Sequence, residues 1–199
     1  MSGFSAKFAP LLAREIEESI QVKQQVIDEG LSTLADIVEL LVQTLQAGKK
    51  VVLFGNGGSA ADSQHIAAEL VSRFRRERQA LPAIALTTDT SILTAIANDY
   101  SFENVFSRQI EALGQPGDMA IGISTSGNSP NVLKGMSAAR QKGMTTVGLT
   151  GESGGQLKDC VDICFRVPSH STPRIQEVHI SVAHAMCELV EQEFCRSHA

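Results

Sequence analysis

Apolar positions in the first fifty residues recur at helical spacing. Phe8, Leu11, Leu12, Ile16, Ile20 and Ile27 form a broken stripe, Gly30 interrupts it, and Leu31 to Leu45 carries a second stripe that Gly48 closes. The pattern then changes to short apolar runs separated by amphipathic segments. Val51–Phe54, Ala83–Leu86, Met119–Ile123, Thr145–Leu149 and Val161–Val167 read as strands. Ser59–Phe74, Thr90–Ala97 continuing through Phe102–Leu113, and Pro130–Lys142 read as the helices between them, and a long helix from about Pro173 to Cys195 follows. Apolar strands alternating with helices predict βαβ units. The expected fold is therefore α/β: a five-stranded parallel sheet covered by helices on both faces in three αβα layers. With no linker, repeat or low-complexity stretch, residues 1–199 are expected to form one domain, the helices of residues 1–48 packing on it. The N-terminal helices and the long C-terminal helix carry more apolar surface than five short strands require, which predicts self-association.

Two of the strands run into similar loops. KKVVLFGNGGSAA and MAIGISTSGNSP each pass from an apolar strand through a Gly/Ser/Asn turn into a helix. Such turns aim backbone N–H groups and small hydroxyls at one point, with a helix N-terminus behind them, and suit an anion such as phosphate. Neither loop ends in the Lys-Ser/Thr of a nucleotide P-loop and neither reads GxGxxG, which argues against ATP and NAD.

Hydrophobic content of 43% and charged content of 20% are ordinary for a soluble domain. A net charge of −5 argues against a nucleic-acid-coating surface, and the basic run Arg73–Arg78 reads as a solvated helix end. No run reaches the ~18 apolar residues of a membrane span, and the N-terminus has no signal-peptide pattern. Cys160, Cys164, Cys187 and Cys195 form no CxxC pair, which is the usage expected of reduced thiols in the cytoplasm.

Chemistry-bearing residues cluster on two helices. His65 and Glu69, four apart, share a helix face just after the first loop and could grip a cation or pass protons as a pair; a surface pair is the alternative. In the last helix, Thr172 is a plausible N-cap and Pro173 suits the first turn. Gln176, Glu177, His179, His184 and Glu188 then punctuate an apolar pattern. His184 lies eight residues after Gln176, roughly 12 Å along the axis and less than a quarter turn around it. Spacing alone does not favour that pair over His179, and each histidine could equally be a hydrogen-bonded core residue.

At these residues the chain resembles a known family. GNGGSAADSQHIAAEL, LTAIANDYSFENVFSRQIEALG, GISTSGNSPNVLKGM and PRIQEVHISVAHAMCELVE, in that order, are similar to the sedoheptulose-7-phosphate isomerases, also called phosphoheptose isomerases, of the SIS (sugar isomerase) fold. The resemblance covers nearly the whole chain. It implies an SIS-type sheet, a homotetramer with active sites near subunit interfaces, one Zn²⁺ per subunit, and the first step of ADP-heptose synthesis for lipopolysaccharide. Carried onto this chain, the metal ligands are His65, Glu69, Gln176 and His184. The phosphate-binding cluster is Ser124, Thr125, Ser126 and Ser129. The other substrate contacts are Asn56, Gly57, Gly58, Ser59, Glu69, Asn98, Asp99 and Gln176. Glu69 is the candidate base and His184 the candidate proton donor, with either able to serve both steps. One departure is Pro173, where some members carry an acid. A related SIS-fold tetramer that binds the replication initiator without catalysis is the alternative; Gly58, Glu69, Ser126 and His184 favour the enzyme.

Overall fold

The computed structural model describes residues 3–196, so the extreme termini of the expected 1–199 domain lie outside the described residues. Helices α1 (Gly3–Glu29) and α2 (Leu31–Gln46) precede the alternating region. That region runs β1 (Val51–Gly55), α3 (Gly58–Val71), β2 (Ala83–Ala85), α4 (Thr90–Asp99), α5 (Ser107–Leu113), β3 (Met119–Ile123), α6 (Pro130–Gln141), β4 (Thr145–Thr150) and β5 (Ile163–Arg166). Helix α7 (Thr172–Arg196) follows. The strands form one parallel sheet in the order β2-β1-β3-β4-β5.

The pleat divides the interior into two cores. Val51 and Leu53 of β1, with Met119, Ile121 and Ile123 of β3, point toward α2, α3 and α7 and meet Ile37, Leu41, Ile66, Leu70, Ala183 and Val190. Val52, Phe54 and Ala120 point the other way, onto Val105, Phe106, Ile110, Val132 and Met136 of the α5–α6 layer. Burying a side chain of this size contributes about 1.5–3 kcal/mol. Helices α3 and α6, which begin at the two Gly/Ser loops, therefore lie on opposite faces.

The structure departs from the sequence reading at four places. The helix from Thr90 does not continue through Leu113: Ser101 is extended (φ −170°, ψ 161°) and a 3₁₀ turn, Phe102–Asn104, separates α4 from α5. Thr172 is not the cap of α7 but its first residue, and the Ser171 carbonyl accepts from the Ile175 N–H. The basic run is not a solvated helix end throughout. Helix α3 stops at Val71, and the Arg78 side chain is only 3% exposed. Finally, α7 buries most of its apolar face, from Ile175 to Phe194. The apolar surplus lies instead on α1, where Phe8, Leu11, Leu12, Ile16, Ile20 and Ile27 are 40–62% exposed. Among the described residues no helix is long and apolar enough to cross a membrane.

Candidate active site

From β1 the chain moves outward to β2, while β3 pairs on the other side of β1. The C-terminal ends of β1 and β3 thus form a topological switch point, where the following loops diverge and leave a crevice. Both Gly/Ser loops sit there. They are joined by a reciprocal amide pair: Asn56 Nδ2 donates to Asn131 Oδ1 at 2.9 Å and Asn131 Nδ2 donates to Asn56 Oδ1 at 2.8 Å.

The first loop, Asn56 to Ser59, turns tightly into α3, the Ser59 N–H donating to the Asn56 carbonyl at 3.0 Å. Ser59 is buried and Gly57 and Gly58 are exposed. Gln176, from the start of α7, lies directly on Gly58. A Cβ there would stand 2.5 Å from Gln176 Nε2, so a side chain at this position would displace the amide from its place on the loop.

The second loop gathers hydroxyls. Ser124 Oγ lies 3.0 Å from Ser129 Oγ and 3.5 Å from Ser126 Oγ, while Ser126 Oγ accepts from the Asn128 N–H at 3.1 Å. Thr125 lines an adjoining cavity of about 280 Å³ with Ser126, Asn128, Ser169 and His170. On its rim His170 Nε2 meets Glu152 Oε2 at 2.9 Å. Residues after β4 brace this loop. Gly127 has φ +65° and a Cβ there would sit 2.0 Å from the Gly154 carbonyl oxygen. The Leu157 N–H donates to the Gly127 carbonyl at 2.9 Å, and the Gln156 N–H to Asn128 Oδ1 at 3.0 Å. The sequence reading missed this brace. Its signal was the third glycine cluster, Gly151, Gly154 and Gly155, directly after a strand.

His65, Glu69 and His184 converge where α3 faces α7. His65 Nε2 lies 3.1 Å from Glu69 Oε1 and 3.4 Å from His184 Nε2, and one ligand-type atom from each of the three residues falls within 4.8 Å of the others. Two imidazole nitrogens facing each other can share at most one hydrogen between them. A cation between them would use both lone pairs and the carboxylate, so the donor set fits a divalent metal. Asp62, one turn before His65, has Oδ2 buried without a hydrogen-bond partner. Its burial raises the carboxyl above the ordinary range, partly offset by the fields of His65 and His184. Cys187 is not one of the three residues that meet here; burial, with the Glu69 charge adding, pushes its thiol up to about 12.

His179 points away from this cluster. It is 1% exposed, with Nε2 3.1 Å from the Thr150 carbonyl oxygen, and burial pushes its imidazole down to about 4. Among the described residues, Asn98 and Asp99 make no hydrogen bond to the crevice residues of their own chain. Asn98 Nδ2 donates to Asp99 Oδ1 at 2.8 Å at the exposed end of α4, and Asp99 lines a surface groove with Tyr100 and Arg108.

A doubly wound sheet with paired Ser/Gly loops at its switch point defines the SIS-domain class, and the SIS domain family model matches residues 16–151. The phosphoheptose isomerase of Roseiflexus sp. (strain RS-1) is 62% identical over 192 residues, spanning 96% of this chain and 98% of the relative. That of Trichlorobacter lovleyi is 55% identical over 91% of this chain and 92% of its own length. Among solved structures, phosphoheptose isomerase GmhA from Neisseria gonorrhoeae aligns with a TM-score of 0.87 at 44% identity, covering 92% of this chain and 98% of that one. A phosphoheptose isomerase from Francisella tularensis aligns at 0.89 and 37% identity, over 92% and 97%. The chain belongs to the phosphoheptose isomerase family, a family of sugar-phosphate isomerases.

Proposed function

We propose that this chain interconverts sedoheptulose 7-phosphate and D-glycero-D-manno-heptose 7-phosphate, using His65, Glu69, Gln176 and His184 to hold Zn²⁺. The observation that carries this reading is the meeting of His65, Glu69 and His184 within 4.8 Å, in a family of sugar-phosphate isomerases. When bound, zinc supplies Lewis-acid polarisation of the oxygens on the two reacting carbons.

The residues divide the remaining work. The Ser124, Thr125, Ser126 and Ser129 hydroxyls and nearby N–H groups hold the phosphate, which does not react and serves to position the chain of the sugar. The Asn56–Ser59 turn, with Gln176 on Gly58, faces the sugar hydroxyls nearer the reacting end. Glu69 takes a proton from C1 of the ketose, giving an enediolate. His184 returns a proton at C2 while another passes from O1 to O2, so the C2 carbonyl becomes an alcohol and C1 an aldehyde.

The exposed α1 stripe supports a homotetramer. Asn98 and Asp99, exposed and without a hydrogen bond to the crevice residues of their own chain, suit a site completed across an interface. We place the reaction in the cytoplasm, at the entry to ADP-heptose synthesis for lipopolysaccharide. The non-catalytic replication-initiator-binding reading is not favoured, since the relatives quoted above are isomerases by name.

Elemental analysis with turnover tests this assignment. The wild-type protein should carry about one zinc per chain. His184→Asn should lose both metal and turnover, whereas His179→Asn, altering a residue aimed at Thr150, should keep both per folded molecule. Equal metal and turnover in the two variants would remove His184 from the site.

A further inference from the structure

Residues 72–82 connect α3 to β2 and hold a buried charge, Arg78, whose side chain is only 3% exposed. Glu69 stands in the last turn of α3, where carbonyl groups have no partner within the helix. Arg78 supplies a partner to the Glu69 carbonyl and shares the Leu70 carbonyl with the Leu81 N–H, which donates to it at 3.1 Å. Its Nη2 donates to the Glu69 carbonyl at 2.8 Å, and its Nη1 faces the carbonyls of Leu70 at 2.8 Å, Ser72 at 3.1 Å and Gln79 at 2.9 Å. Only a guanidinium fork can span that set; a lysine ammonium is a single point.

The Arg78 charge is compensated by Glu191 of α7, whose side chain is 1% exposed and whose Oε2 lies 3.5 Å from Arg78 Nε. The same carboxylate accepts the backbone N–H groups of Phe74 at 2.7 Å, Arg75 at 2.7 Å and Arg76 at 2.6 Å. Burial alone would raise this carboxyl, but the three N–H donors and Arg78 together hold it below the ordinary range. Glu191 lies seven residues beyond His184, about two turns along the same side of α7. Phe74, its N–H fixed by Glu191, lays its ring beside His184 with centroids 5.7 Å apart. Arg75 Nε reaches Glu188 of the same helix at 3.3 Å.

We infer that Arg78, clamped by Glu191, is a positioning residue that fixes the α3 end carrying Glu69 against the α7 face carrying His184, at the separation that one divalent cation requires. This inference rests on the metal-site reading above. A buried ion pair is a poor device for stability alone, because desolvation consumes much of its attraction. What this one fixes is the relative placement of two helices. One end of the clamp holds the backbone of a candidate ligand; the other end, through the Phe74 ring, holds the second.

The test uses metal-stripped full-length protein titrated with Co²⁺, read by its visible absorption, together with kcat and KM on sedoheptulose 7-phosphate. Arg78→Met keeps length and packing but removes every donor. It should weaken the Co²⁺ dissociation constant by about 10–100-fold and alter the band. At saturating metal it should lower kcat, with KM changing less than about threefold, since the phosphate loop is untouched. Arg76→Met, whose side chain is exposed, should match the wild type. If Arg78→Met does not fold, Arg78→Lys and Glu191→Gln carry the test, with changes in the same direction. A folded Arg78 variant with lowered thermal stability but wild-type Co²⁺ affinity, band and kcat would overturn the inference and leave the site reading intact. Folded wild-type protein that binds no Co²⁺ would overturn both.

Discussion

The two ends of the crevice are built by different means. The hydroxyl loop after β3 is built from contiguous residues and braced by the backbone of the next loop, after β4: the Gly127 backbone rests on Gly154, Asn128 is held by Gln156, and Ser124, Ser126 and Ser129 share one network. The imidazole and carboxylate end is held from a distance. His65 and Glu69 stand on α3, His184 on α7, and the α3 terminus is fixed through Arg78 and Glu191, 113 positions apart. An anchor for a non-reacting phosphate needs donors aimed at one point, which a short glycine-rich turn supplies. A metal and proton-transfer site needs side chains of opposed helices at fixed separation, which only tertiary packing supplies.

The largest expected effect breaks the chemical end and spares the anchor. Glu69→Gln keeps shape and a ligand oxygen but removes the basic carboxylate. Turnover should fall by ~10²–10⁴ while sugar-phosphate binding, followed by calorimetry, persists. Loss of binding in parallel with turnover would mean that the two ends are not separable.

Acid should act through His179, beneath both ends. Its folded-state value, about 4, lies below the ~6.5 of an unfolded imidazole, so the unfolded chain binds more protons between those values. The corresponding stability is fully present above pH ~6.5 and is lost as pH falls through about 4, a loss of about 3 kcal/mol. Urea unfolding at stepped pH should show this slope, and His179→Gln should flatten it. An unchanged slope in the variant would assign the acid limb elsewhere.

At the anchor, Gly127→Ala forces a Cβ into the Gly154 carbonyl at positive φ. It should cost about 1–3 kcal/mol of stability and weaken phosphate binding. A variant as stable as the wild type would show that the brace yields freely. Smaller still, Ser124→Ala and Ser126→Ala should each cost about 1–2 kcal/mol in substrate affinity with stability nearly unchanged. If neither changes affinity, the phosphate sits in the first loop and the hydroxyl loop is not its anchor.

The same contrast governs what was legible in the sequence. All five strands could be read because each carries a short apolar run set off from the helical pattern on either side, even where threonines (β4) or Arg166 (β5) enter it. Both Gly/Ser loops were visible because their chemistry is contiguous. The break between α4 and α5 was not, since an extended Ser101 leaves no gap in the apolar spacing. Nor was the end of α3, whose cap comes from Arg78 and whose anchor comes from another helix. His65 and Glu69 could be paired from their spacing. His184 could not be separated from His179, because which one faces the sheet and which faces α3 is decided by how α7 lies on the core; the family resemblance supplied that distinction.

The most direct measurement is identification, by NMR, of the product formed when purified, zinc-loaded protein is incubated with sedoheptulose 7-phosphate. The account predicts an aldoheptose 7-phosphate that accumulates to equilibrium with the wild-type protein and is formed at least about a hundredfold more slowly by Glu69→Gln. A wild-type protein that leaves sedoheptulose 7-phosphate unchanged, or a Glu69→Gln variant that matches it, would contradict the account.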